Sequence, residues 1–78
     1  MPTVLRWGAY RAFFYSADGA EPPHVHVVNG DREAKFWLDD LSVSANLGYA
    51  QHELRAIIRE LRSNRAELLK AWHEYFGN

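Results

Sequence analysis

The sequence contains no cysteine, so disulfides, thiolate nucleophiles and cysteine metal ligands are all closed to it. Small domains secreted into oxidising compartments often carry disulfides, so their absence points to the cytoplasm. No apolar run approaches the roughly 18 residues of a membrane span, and no membrane partner is expected. The start, Met1-Pro2-Thr3-Val4-Leu5-Arg6, lacks the charged and apolar stretches of a signal peptide. The formal net charge is −1, which excludes the global basic field that announces nucleic-acid binding. There is no glycine-rich phosphate loop and no serine in an elbow motif, so nucleotide-binding and ordinary hydrolase readings find no support. No cofactor is expected. Repeats, linkers and low-complexity stretches are missing too.

What is present is an ordinary globular balance, 47% hydrophobic and 24% charged, in 78 residues. That length allows a single domain, 1–78, burying only about 60–65% of its extended-chain surface. Up to about Leu47 the pattern has period two, with turn residues between segments. From Tyr49 onward the period is helical. The first 48 residues therefore read as a β-meander and 49–77 as a helical hairpin.

Thr3 to Trp7 reads as a short strand ending at Gly8. Tyr10 to Ser16 is aromatic on both faces, as suits a strand near a sheet centre. Asp18-Gly19 and Pro22-Pro23 punctuate the loop that follows. Then comes the most informative stretch, Pro22-Pro23-His24-Val25-His26-Val27, followed by Asn29-Gly30 and Arg32-Glu33-Ala34-Lys35-Phe36-Trp37-Leu38. Asn-Gly between alternating segments is a strong hairpin signal. A two-residue turn at Asn29-Gly30 pairs Val28 with Asp31, His26 with Glu33 and His24 with Lys35. Side chains alternate along a strand. One face then carries Val25, Val27, Ala34, Phe36 and Leu38 and belongs to the core. The other carries His24, His26, Glu33, Lys35 and Trp37 and is the candidate binding surface. Asp39-Asp40 turns the chain again. Residues 42–47 read as a fifth short strand, with a helical turn as the alternative. Asn46-Leu47-Gly48-Tyr49 reads as a corner with positive φ at Gly48.

In the helical half, Leu54, Ile57, Ile58 and Leu61 fall at i, i+3, i+4 and i+7. Asn64 and Glu67 have capping-box spacing for a second helix. That helix gathers Leu68, Leu69, Trp72, Tyr75 and Phe76 into an arc of roughly 120°, and Gly77 stops it.

Same-face histidines two apart on a strand can share a metal, with Glu33 as a third ligand. The same three residues, His24, His26 and Glu33, can do acid–base work. The plainer reading leaves both rings on a half-exposed sheet face, hydrogen-bonded to neighbours. Lys35 speaks against a dedicated cation site because it brings like charge close. Trp37 is either covered by the helices or a partner, or an interface anchor. With Phe13 and Tyr15 nearby, this face suits a partner or a second copy of the chain. Arg55, Arg59 and Arg62, at i, i+4 and i+7, form a stripe that can track phosphates; a solvated helix face is the alternative. No recognition helix with exposed Arg, Asn and Gln supports a helix-turn-helix reading.

Across Tyr15-Ser16, Glu21 to Val27, Arg32 to Asp39, Asn46 to Tyr49, His52 to Arg55 and Ala71 to Gly77, the chain resembles the bacterial domain of unknown function family numbered 4160. The likeness runs from Pro2 to Gly77. Pro-Pro-His-x-His-Val is the hallmark of that family, and the closing Ala-Trp-His-Glu-Tyr-Phe-Gly marks one branch. Asp40 stands where the family often has proline. The resemblance implies no established activity. It implies a small-protein neighbour of the domain of unknown function 2442 type, in pairs suspected to be toxin–antitoxin-like.

The expected fold is α+β: an antiparallel sheet of four or five short strands, then a C-terminal helical hairpin on one face. The expected function is a regulatory, protein-binding component of a toxin–antitoxin-like module. It would dock through His24, His26, Glu33, Lys35 and Trp37 onto the neighbouring small protein. The alternatives are a small histidine- or metal-dependent RNase, using His24 and His26, and a nucleic-acid-binding antitoxin or transcriptional regulator, using Arg55, Arg59 and Arg62.

Overall fold

The computed structural model describes residues 3–77. Met1 and Pro2, which belong to the expected domain and to the leader reading, lie outside the described residues, as does Asn78. Five strands form one antiparallel meander: β1 (Thr3–Trp7), β2 (Tyr10–Phe13), β3 (His24–Asn29), β4 (Arg32–Trp37) and β5 (Val43–Leu47), in the order β1-β2-β3-β4-β5. A short 3-10 helix, Ser16–Ala20, stands between β2 and β3. Two helices follow, α1 (Gln51–Ser63) and α2 (Arg65–Phe76). The fold is α+β, a sheet with a C-terminal helical hairpin.

Period-two alternation sorts the sheet. Ala12, Val25, Val27, Ala34 and Phe36 are buried on the face that meets Leu54, Ile57 and Leu61 of α1 and Leu68 and Trp72 of α2. Helices of 12 and 13 residues are marginal in isolation. Each buried Leu or Ile adds roughly 1.5–3 kcal/mol, so this contact holds them folded.

The hairpin differs from the expected one. The loop is Gly30-Asp31, not Asn29-Gly30, and the pairs are Asn29/Arg32, Val28/Glu33, Val27/Ala34, His26/Lys35, Val25/Phe36 and His24/Trp37. Gly30 has φ +63 at the first central position, where a type II′ turn requires glycine. The expected register would have set Val27 against Arg32 and Val25 against Ala34. The observed one sets Val27 against Ala34 and Val25 against Phe36, apolar against apolar. Partners move by two positions, so every side chain keeps its face.

Three smaller expectations also change. Asn64 stands at the N-cap of α2, but its side chain makes no cap bond there; its Nδ2 donates back to the Glu60 carbonyl at 2.9 Å and closes α1 instead. Tyr75 is 46% exposed rather than core. The second strand stops at Phe13, three residues short of Ser16. At the corner into α1, Gly48 has φ +101, and a Cβ there would stand 2.7 Å from the Arg32 side chain.

Arg65, at the start of α2, reaches across the molecule. Its Nε donates to the Leu38 carbonyl at 2.6 Å and its Nη2 to the Asp39 carbonyl at 3.0 Å. Those bonds hold the turn after β4, where Leu41 takes a left-handed φ of 61 with its side chain buried.

Candidate functional site

His24 and His26 stand on the sheet face opposite Val25 and Val27, as strand alternation demands. This face is not open along its whole length. The chain leaves β2, turns through the 3-10 helix and enters β3 by Pro22-Pro23, where the Pro23 carbonyl accepts from the Leu38 N–H at 3.0 Å. His24 is fully buried, its ring against Trp37 and Trp72, and the side chain of His26 retains 12% exposure.

The 3-10 turn delivers Asp18. Its carboxylate is fixed by the Tyr15 backbone N–H, which donates to Oδ2 at 2.8 Å. His26 Nε2 hydrogen-bonds to the same oxygen at 3.1 Å. His24 Nε2 lies 3.1 Å from the other oxygen, Oδ1. That last contact is short but lies off the line of the ring N–H, and His24 Nε2 makes no hydrogen bond among the described residues. His24 Nδ1 donates to the Pro22 carbonyl at 2.9 Å. A carbonyl oxygen only accepts, so in the neutral ring the hydrogen sits on Nδ1 and Nε2 carries a lone pair.

Electrostatics favour a neutral His26 ring beside an ionised acid. Burial pushes the His26 imidazole below its ordinary 6.5, against the opposing pull of Asp18. Burial works upward on the Asp18 carboxyl, but the Tyr15 N–H and the two imidazoles outweigh it, and its pKa falls below the usual 3.8. The Tyr15 phenol is raised by burial and by Glu33, whose Oε2 accepts its hydroxyl hydrogen at 3.0 Å.

Glu33 faces Val28 across the hairpin, yet its Oε2 comes within 3.6 Å of His26 Nδ1, on the far side of that ring from Asp18. Lys35 is directly opposite His26, but its amine is drawn away. It lies 2.6 Å from Glu21 Oε1 and 4.6 Å above the Trp37 ring. Trp37 pairs with His24, the two rings meeting edge to face at 5.5 Å. On its other side His24 meets Trp72 of α2 at 5.1 Å. The sequence-derived set is therefore gathered, but as two zones. His24 is fully buried, and His26 and part of Glu33 stand between it and the hollow beside β5. Lys35, Trp37 and the rest of Glu33 border the open strip beside β5.

Arg55, Arg59 and Arg62 are exposed on α1. Leu54, Ile57 and Leu61 of that helix pack in the core with Val25 and Val27, and no contact is found among the described residues between these arginines and His24 or His26; the helical layer reaches His24 through Trp72. Asp18 and Glu21 were missed from the sequence because they occupy an irregular loop with no periodicity to project them onto a face. The usable signal was their position just before Pro-Pro-His, where the loop must close over the strand it enters. Among the described residues no helix is long and apolar enough to cross a membrane.

A family model for a domain of unknown function, DUF4160, matches residues 9–73. The chain belongs to the DUF4160 family. The DUF4160 match contains the whole pocket, from Tyr15 to Trp37, and ends before the last four residues of the Ala71–Gly77 run. No curated protein and no solved structure matches the chain.

Proposed function

We propose that this DUF4160 protein is the binding component of a two-protein regulatory module of the toxin–antitoxin kind. Its docking site is the β5 edge together with the open strip of sheet beside it. The observation that carries the reading is β5 itself. It is an edge strand and all five of its residues are exposed, with Leu47 71% exposed. Edge strands present unpaired backbone groups and are templates for a further strand. Leu47 and Ala45 stand opposite Glu33 and Lys35, and the four, with His26 and Ala34, line a hollow of about 130 Å³. At the other end of β4, Trp37 borders a second hollow of about 250 Å³ with Pro22, Pro23, Asp39 and Asp40. A half-buried aromatic anchor such as Trp37 beside a strand-pairing edge suits a binding surface. The partner we propose is a small neighbouring protein of the domain of unknown function 2442 type.

The test is co-expression with the product of the adjacent gene, followed by affinity capture. The two proteins should co-purify, and Leu47→Asp or Trp37→Ala should weaken the complex more than tenfold. Failure to co-purify, or a complex that keeps its affinity in both variants, overturns the reading.

A further inference from the structure

We infer that Asp18, His24 and His26 form a binding site for a divalent cation of the zinc class, held by one carboxylate oxygen and two imidazole Nε2 atoms. The donor atoms all lie within 4.8 Å of one another. His24 Nε2 is 3.1 Å from Oδ1 of Asp18 and His26 Nε2 is 3.1 Å from Oδ2. Ligands at about 2.0–2.1 Å on a tetrahedral ion stand roughly 3.3 Å apart, so both contacts to Asp18 already have ligand spacing, and the donor set contracts from within its 4.8 Å spread to close on an ion.

The decisive feature is His24 Nε2. It is buried, it has no hydrogen-bond partner among the described residues, and it is aimed into the cluster. Leaving such a group unsatisfied costs about 1–3 kcal/mol. A bare nitrogen lone pair also repels a carboxylate oxygen at this distance unless positive charge stands between them. In the neutral ring a hydrogen placed on Nε2 would strip Nδ1 of the one it gives to the Pro22 carbonyl, exchanging one unsatisfied group for another. Metal ligation does repair it. Two ligands of one ion point their lone pairs at the ion, not at each other.

The surroundings agree. The Nδ1 hydrogen of His24 is held by the Pro22 carbonyl, an arrangement that typically fixes a ligating imidazole. Glu33 Oε2 stands 3.6 Å from Nδ1 of His26, beyond hydrogen-bond distance, and adds negative charge beside that ring. Lys35, whose charge would oppose a cation, is neutralised by Glu21 and seated on Trp37. Asp18 and Glu33 then leave net negative charge around the two rings. The three ligands come from two segments, so the ion would also pin the 3-10 turn onto β3. A fourth coordination position is left for water or for a donor brought by another molecule.

The test is titration of the chelator-stripped full chain with Zn²⁺ by calorimetry, and with Co²⁺ by visible absorption. One ion per chain is expected, with a Co²⁺ spectrum of low-coordinate nitrogen and oxygen ligation. Asp18→Asn is nearly isosteric and can still accept from the Tyr15 N–H. It and His26→Gln should each weaken binding more than about tenfold while far-UV circular dichroism stays native. Zn²⁺ should raise the melting temperature of the wild type and not of Asp18→Asn. The double variant His52→Gln, His73→Gln should bind like wild type. No saturable uptake, or equal affinity in Asp18→Asn and His26→Gln, overturns the inference.

Discussion

Tyr49 Oη donates to the carbonyl of Val27 at 3.1 Å, tying the entry of α1 to the central strand of the sheet. The phenol is buried, and burial raises its pKa from 10.0 to about 12. The folded protein therefore holds this proton at pH values where the unfolded chain has lost it. The stability contributed by Tyr49 is complete below pH 10 and drains away as pH climbs through about 12. Absorbance titration should show a late tyrosinate component near that upper value. Tyr49→Phe should remove it and cost about 1 kcal/mol at neutral pH.

Trp72 anchors the helical hairpin. It is 1% exposed and touches the rings of Phe14, His24 and Phe76. Trp72→Ala should cost about 3–5 kcal/mol. A domain of this size has roughly 4–12 kcal/mol in total, so the variant should be largely melted at 37 °C by circular dichroism.

Gly48 combines a left-handed φ with close packing against Arg32, which in turn pairs with Glu53 at 2.6 Å. Gly48→Ala meets both backbone strain and a clash. It should lose about 1–2 kcal/mol, read as a lower urea midpoint.

The hairpin register is open to a direct check by nuclear Overhauser contacts. Backbone protons of His26 should show cross-strand contacts to those of Lys35, and His24 to Trp37. Backbone-to-backbone contacts of His26 to Glu33 and of His24 to Lys35 would instead restore the Asn29-Gly30 turn; side-chain contacts of His26 to Glu33 belong to the observed register as well.

The strands and helices were legible because periodicity records which side of each element is buried. Val25, Val27, Ala34 and Phe36 announce the core face whatever the register. That is also why the sequence could not choose between loops at Asn29-Gly30 and Gly30-Asp31. Both keep His24, His26, Glu33, Lys35 and Trp37 on one face, and only cross-strand pairing of the apolar residues separates them. The pocket was half legible. The two imidazoles follow from alternation. Asp18 reaches them through a 3-10 turn that no periodicity projects onto a face, and only its place ahead of Pro-Pro-His hints at the path. The burial of His24 was equally hidden, because its cover comes from residues before the strand and from Trp72 far down the chain.

The state of the His24 ring is the most direct probe of the pocket, read by long-range proton–nitrogen correlation on the uniformly labelled, ion-free protein at neutral pH. The hydrogen should be found on Nδ1, bonded to Pro22, with Nε2 bare. A hydrogen resident on Nε2 would contradict the site as described.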